Sequence, residues 1–81
     1  MKCTVLFFAQ LAEAIGTKRL ELELNEGATL GDARAVLAAN HDAIARMGDS
    51  LALAVNEKYA AQNTTLTDGD TIALIPPVSG G

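Results

Sequence analysis

The sequence is poor in the residues that usually carry chemistry. It has one cysteine, Cys3, and one histidine, His41, in 81 residues. A lone cysteine excludes an internal disulfide and fits a reducing cytoplasm. One cysteine and one histidine cannot form a Cys/His metal cluster. Tryptophan is absent, and Phe7, Phe8 and Tyr59 are the only aromatics. Fifteen alanines thin the core further, so a single domain of this size is marginally stable on burial alone. Lys and Arg number six against ten Asp and Glu, for a net charge of −4. That balance argues against nucleic acid, which wants a basic patch. No apolar run approaches the roughly 20 residues of a membrane span. Met1-Lys2 leads into a strand-like run with no signal-peptide cleavage site. A P-loop or dinucleotide glycine motif is also missing.

What remains is a regular alternation of elements. Val5-Leu6-Phe7-Phe8 is a continuous apolar run, which predicts a central strand covered on both faces. Ala9 to Ile15 reads as a short helix closed by Gly16. Leu20, Leu22 and Leu24 alternate with Glu21 and Glu23, the pattern of a half-buried strand. Thr29 with Asp32 is a capping-box-like start, and Leu30, Ala33, Val36 and Leu37 continue at helical spacing. The main helix is therefore expected over Leu30 to Ala39, with Gly31 weakening its first turn. A shorter helix follows over Asp42 to Met47, then strands over Leu51 to Val55 and Thr71 to Ile75. Asn56-Glu57-Lys58 and Thr67-Asp68-Gly69-Asp70 read as turns. A strand pair, a helix across the sheet and a returning strand describe an α+β, ubiquitin-like β-grasp fold. The expected division is a domain over 1–75 and an extended tail over 76–81.

The titratable residues are explained by this fold. His41 lies at a helix junction and reads as an exposed or capping residue rather than a base. Cys3 reads as a small hydrophobe. Asp68 and Asp70 are most economically turn residues, not a catalytic dyad. In the last strand Ile72 and Leu74 share the core face, so Ile75 points the other way. Together with Val78 it flanks the tail as a possible docking patch.

The tail is the feature left over. Pro76 and Pro77 stiffen the approach, and Ser79-Gly80-Gly81 leaves a slim end without bulky side chains. Taken alone, such an end is more often a frayed terminus or a cloning scar. A terminal carboxyl has a pKa near about 3.5 and is ionised at neutral pH, so it is a poor electrophile. As an acyl-adenylate it becomes attackable. A sulfur nucleophile would leave a thiocarboxylate, and an amine would leave an isopeptide.

The chain resembles the small, sulfur-carrier subunits of molybdopterin synthase along essentially its whole length. The resemblance rests on Val5-Leu6-Phe7-Phe8-Ala9-Gln10, Ala54-Val55-Asn56, Leu66-Thr67-Asp68-Gly69-Asp70 and Pro76-Pro77-Val78-Ser79-Gly80-Gly81. It implies that Gly81 is the reacting site, adenylylated with ATP by an adenylyltransferase related to ubiquitin activators and then converted to a thiocarboxylate. It further implies that the tail enters the large synthase subunit and gives its sulfur to cyclic pyranopterin monophosphate. Catalytic side chains belong to that subunit, in a heterotetramer of two small and two large chains. Ile75, Pro76, Pro77, Val78, Ser79 and Gly80 are the implied partner-binding residues, with no metal and no tightly bound cofactor. Members often carry an aromatic residue where this chain has Ile75. Three other readings stay open: a sulfur carrier for thiamin or another pathway, a ubiquitin-like modifier of lysines, and an interaction domain with an inert tail. Thiamin carriers tend to lack the helical segment from Ala9 to Gly16.

Overall fold

Alternation along each strand decides which side of the sheet is dry. In the computed structural model, which describes residues 1–77, strand β1 runs Lys2–Phe7 and strand β2 runs Arg19–Glu23. Strands β3, β4 and β5 are Ala52–Val55, Lys58–Tyr59 and Thr71–Ile75. Helix α1 is Ala9–Ile15, α2 is Leu30–Asn40 and α3 is Asp42–Met47, followed by a single 3₁₀ turn at Gly48–Ser50. The five strands lie in the order β2-β1-β5-β3-β4, with β1 and β5 parallel and the other pairs antiparallel. This is the α+β, β-grasp architecture expected from the sequence.

Every second residue of the central strands enters one core. Cys3, Val5 and Phe7 of β1 and Ile72 and Leu74 of β5 are almost fully buried, together with Leu11, Leu30, Leu37 and Ile44 from the helices. Burying each large apolar side chain stabilises by about 1.5–3 kcal/mol, so this layer carries most of the favourable energy. The capping box at α2 is complete: Asp32 N–H donates to Thr29 Oγ1 at 3.2 Å, and Thr29 N–H donates to Asp32 Oδ2 at 2.9 Å. Helix α1 ends where Gly16 turns left-handed, φ 93°, and donates to the carbonyl of Ala12.

Three expectations need correction. The apolar run in β1 does not signal coverage on both faces. The strand is central, yet Leu6 is only half-buried and Phe8 is 44% exposed, because the helices cover one face alone. Lys58 is not a turn residue but begins β4. Gly31 does more than weaken a helix start: its N–H donates to Gln62 O at 2.8 Å. A Cβ there would lie 3.2 Å from that same oxygen and from Gln62 Oε1.

The turn before β5 is a hydrogen-bond hub. The Asp70 carboxylate accepts from Thr67 N–H at 2.8 Å, Thr67 Oγ1 at 3.0 Å and Asn56 Nδ2 at 2.9 Å. Asn56 returns the link, its Oδ1 accepting from Thr71 N–H at 3.0 Å. These donors, Thr67 N–H first and then Asn56, hold the Asp70 carboxyl below its ordinary value. Asp68 accepts from Lys2 N–H at 2.8 Å. Both aspartates serve the turn.

Asp70→Ala is expected to lower stability by about 1–2 kcal/mol in urea denaturation. A depressed carboxyl pKa contributes stability that is complete above about pH 4 and lost as pH falls through the lowered folded value. Wild type should therefore lose more stability than Asp70→Ala on going from about pH 4 to about pH 2; identical acid limbs would refute the clamp. Gly31→Ala should be net destabilising, although alanine normally gains about 1 kcal/mol inside a helix. A stabilised variant would show that the Gln62 segment yields without cost.

Candidate functional site

The sheet has a second, open face, built by the residues that alternate away from the core. Register fixes one row across it: Arg19 opposite Leu6, Leu6 beside Ala73, Ala73 opposite Ala54, and Ala54 opposite Tyr59. Small residues at the middle of the row and large ones at its flanks make a hollow. Ala73 and Ala54 form its floor, with Leu6 on one flank, Tyr59 on the other, and Phe8 and Ile75 at the end where β5 leaves the sheet. Its volume is about 300 Å³, and Glu57 and Thr71 complete the lining. Tyr59 is 79% exposed. A second hollow of about 520 Å³ shares Leu6 and Phe8 and continues over Ala9 and Ala12 to Glu13 and Lys18. A contiguous apolar surface of this kind on a small domain marks an interaction site.

Strand β5 brings the tail to this surface. Leu74 pairs with Phe7 and Ile75 pairs with Ala52, so the chain leaves the sheet at the Phe8 end. Ile75 is half-buried on the open face. Pro76 is buried and Pro77 exposed, so the exposed approach begins one residue later than two stalk prolines suggest. Val78, Ser79, Gly80 and Gly81 lie outside the described residues.

The remaining candidates stand apart from the site. Cys3 is buried at the far end of β1, about 16 Å from Phe8 at a strand rise of about 3.3 Å per residue. Burial first, then the charges of Asp70 and Asp68, push its thiol pKa up, which suppresses the reactive thiolate. His41 caps the α2–α3 junction through its backbone, donating to Leu37 O at 2.8 Å. Its ring meets Phe7 edge-on, centroids 6.2 Å apart. Among the described residues there is no grouping of His, Cys, Asp and Glu able to hold a metal ion. No helix there is long and apolar enough to cross a membrane.

The sequence names Ile75 among the residues lining this hollow, but not Leu6, Phe8, Tyr59 or Glu57. Leu6 was legible from its parity, since it alternates with Val5 and Phe7. Tyr59 was not, because β4 is only two residues long and leaves no periodic signal.

An α+β β-grasp domain with an apolar open face defines the class as ubiquitin-like. Comparison with known proteins narrows the class. The ThiS family matches residues 5–81, and the chain belongs to that family. It is 40% identical over 79 residues to the molybdopterin synthase sulfur carrier subunit of Escherichia coli, covering 95% of this chain and 96% of that one. Among solved structures it is similar to SAMP1 from Haloferax volcanii, with TM-score 0.89, 32% identity and full coverage of both chains. It is also similar to a chain in the complex of subunits 1 and 2 of molybdopterin-converting factor from Helicobacter pylori, with TM-score 0.73, 32% identity and full coverage of both.

Ile75→Asp is expected to stay folded, within about 1 kcal/mol of wild type in thermal unfolding, whereas Leu74→Asp buries an unpaired charge and unfolds the domain. Equal damage from both would mean that Ile75 belongs to the core.

Proposed function

We propose that the protein is the sulfur-carrier subunit of a molybdopterin synthase, with Gly81 as the sulfur-bearing residue. The observation that carries this reading is the likeness to the Escherichia coli subunit across nearly the whole of both chains, with the family match running through Gly81. The open face supports it, because a carrier must dock its partners beside the exit of its tail.

The chemistry follows from the weakness of a carboxylate as an electrophile. An activating adenylyltransferase transfers AMP from ATP to the Gly81 carboxylate and releases pyrophosphate. A sulfur donor then displaces AMP and leaves a thiocarboxylate, a far better nucleophile than the carboxylate. In the large subunit, the sulfur attacks an electrophilic carbon of cyclic pyranopterin monophosphate, and the oxygen substituent on that carbon leaves as the new C–S bond forms. Water adds to the Gly81 carbonyl carbon, the acyl C–S bond breaks, and the carboxylate is restored. Two such deliveries build a dithiolene, and a heterotetramer of two small and two large chains provides paired sites. The docking surface is Leu6, Phe8, Tyr59 and Ile75, extended by Pro76, Pro77, Val78, Ser79 and Gly80 into the partner's cleft. The narrow Gly80-Gly81 end passes where a Cβ would obstruct.

A second reading is favoured by the likeness to SAMP1, described among the curated relatives as a small archaeal modifier protein. The same adenylate attacked by a lysine amine gives an isopeptide.

Deleting Gly81 should abolish sulfur transfer in a reconstituted synthase while leaving the unfolding curve unchanged. Intact protein isolated with its activating enzyme should gain the mass difference between sulfur and oxygen, confined to the C-terminal peptide. Full activity in the deletion variant would overturn the carrier reading; Gly81-dependent adducts that resist thiols would favour the modifier instead.

A further inference from the structure

The hairpin between β3 and β4 has a two-residue loop, since Val55 pairs directly with Lys58. Its two residues, Asn56 and Glu57, both have positive φ, 52° and 72°. Positive φ at both positions is the type I′ turn, whose twist matches the flanking strands and whose favoured second residue is glycine. Asn56 is well suited to its place. Asparagine tolerates the left-handed region, and its side chain bonds both Asp70 and Thr71.

Glu57 has no such return. It is exposed, and among the described residues its carboxylate takes part in no hydrogen bond and no ion pair. The fold thus holds a strained residue where glycine would serve it better. Backbone strain without internal compensation is characteristic of residues kept for an external contact. Its position supplies that contact. Glu57 lines the hollow walled by Leu6, Tyr59 and Ile75, and also a smaller adjoining one of about 250 Å³ shared with Leu6, Asn56 and Thr71. Other carboxylates around this face have cationic neighbours: Glu21 lies 3.6 Å from Lys2 Nζ, and Glu13 shares its hollow with Lys18.

We propose that Glu57 is a specificity-determining residue of the docking face, selecting a partner protein whose apolar contact is flanked by an arginine or lysine. The proposal rests on the docking reading above and takes the large synthase subunit as the partner. A rim carboxylate beside an apolar hollow adds little raw affinity but steers encounter and fixes register, and it rejects an acidic competitor.

Three substitutions separate strain from charge. Glu57→Gly removes both, Glu57→Asn removes charge but keeps a residue at ease in the left-handed region, and Glu57→Lys reverses the charge. Affinity for the purified large subunit of the same organism is measured by calorimetry at low and high salt, with thermal unfolding alongside. Glu57→Gly should melt higher than wild type yet bind about two- to fivefold more weakly at low salt. Glu57→Asn should bind equally weakly, and Glu57→Lys about tenfold more weakly, with all differences shrinking at high salt. Tyr59→Asp serves as the control for the face itself. If it loses binding while the Glu57 variants bind within about twofold of wild type, the Glu57 assignment is overturned and the docking face stands. If Tyr59→Asp also binds normally, the docking reading fails and the assignment with it. A Glu57→Gly protein that melts no higher than wild type removes the strain argument and overturns the proposal equally.

Discussion

The parallel pairing of β1 with β5 is the constraint on which the rest of the structure depends. It joins the two ends of the chain, Thr4 beside Thr71 and Phe7 beside Leu74, so forming it closes a loop of nearly the whole sequence. Parallel strands require a crossover, and here the crossover contains every helix and three further strands. The same pair builds both faces of the sheet. Val5, Phe7, Ile72 and Leu74 face the core, while Leu6, Ala73 and Ile75 face outward. Core and open face therefore share one register. A slip of one residue would exchange them, exposing the core and burying the patch.

The turn from Thr67 to Asp70 guards that register. Thr4 N–H donates to the Asp70 carbonyl at 3.0 Å and Gly69 N–H donates to Lys2 O at 2.8 Å, so the turn is tied to β1 before β5 begins. Asn56 then ties it to the β3–β4 hairpin. A chain with so few large core residues gains its uniqueness from such links. Leu66-Thr67-Asp68-Gly69-Asp70 and Ala54-Val55-Asn56 carry a family resemblance, and the structure gives both a structural part: Asp68, Asp70 and Asn56 lock the turns, and Ala54 floors the open face.

Much of this was legible in the sequence because the local signals agree with one another. The capping box at Thr29 and Asp32, the glycine stop at Gly16 and the alternation in β5 each point to the element that forms. Failures occurred where the signal was non-local. A run of apolar residues at Val5 to Phe8 looks the same whether the second face is covered by helices or left open. The need for glycine at position 31 comes from Gln62, thirty-one residues away in sequence. The open face was half visible: parity marks Ile75 and Leu6, but Tyr59 and Glu57 join them only through the β3–β4 hairpin.

A protein with its chemistry in a side-chain cluster must hold that cluster rigid, and the rest of the fold serves the geometry. Here the described residues offer no such cluster, and the only thiol is buried, with its pKa pushed up by that burial, and far from the tail exit. The proposed carrier role asks such a domain to be recognised by its partners. Recognition needs a surface whose shape is set by strong local rules, which the alternating strands supply, and a few residues whose placement serves no internal need. Leu6, Phe8 and Tyr59 leave apolar area in water at some cost to solubility, and Glu57 strains a turn that glycine would relax. These are departures from what folding alone would select, they all lie on one face, and that face is where β5 hands the chain on to its final residues.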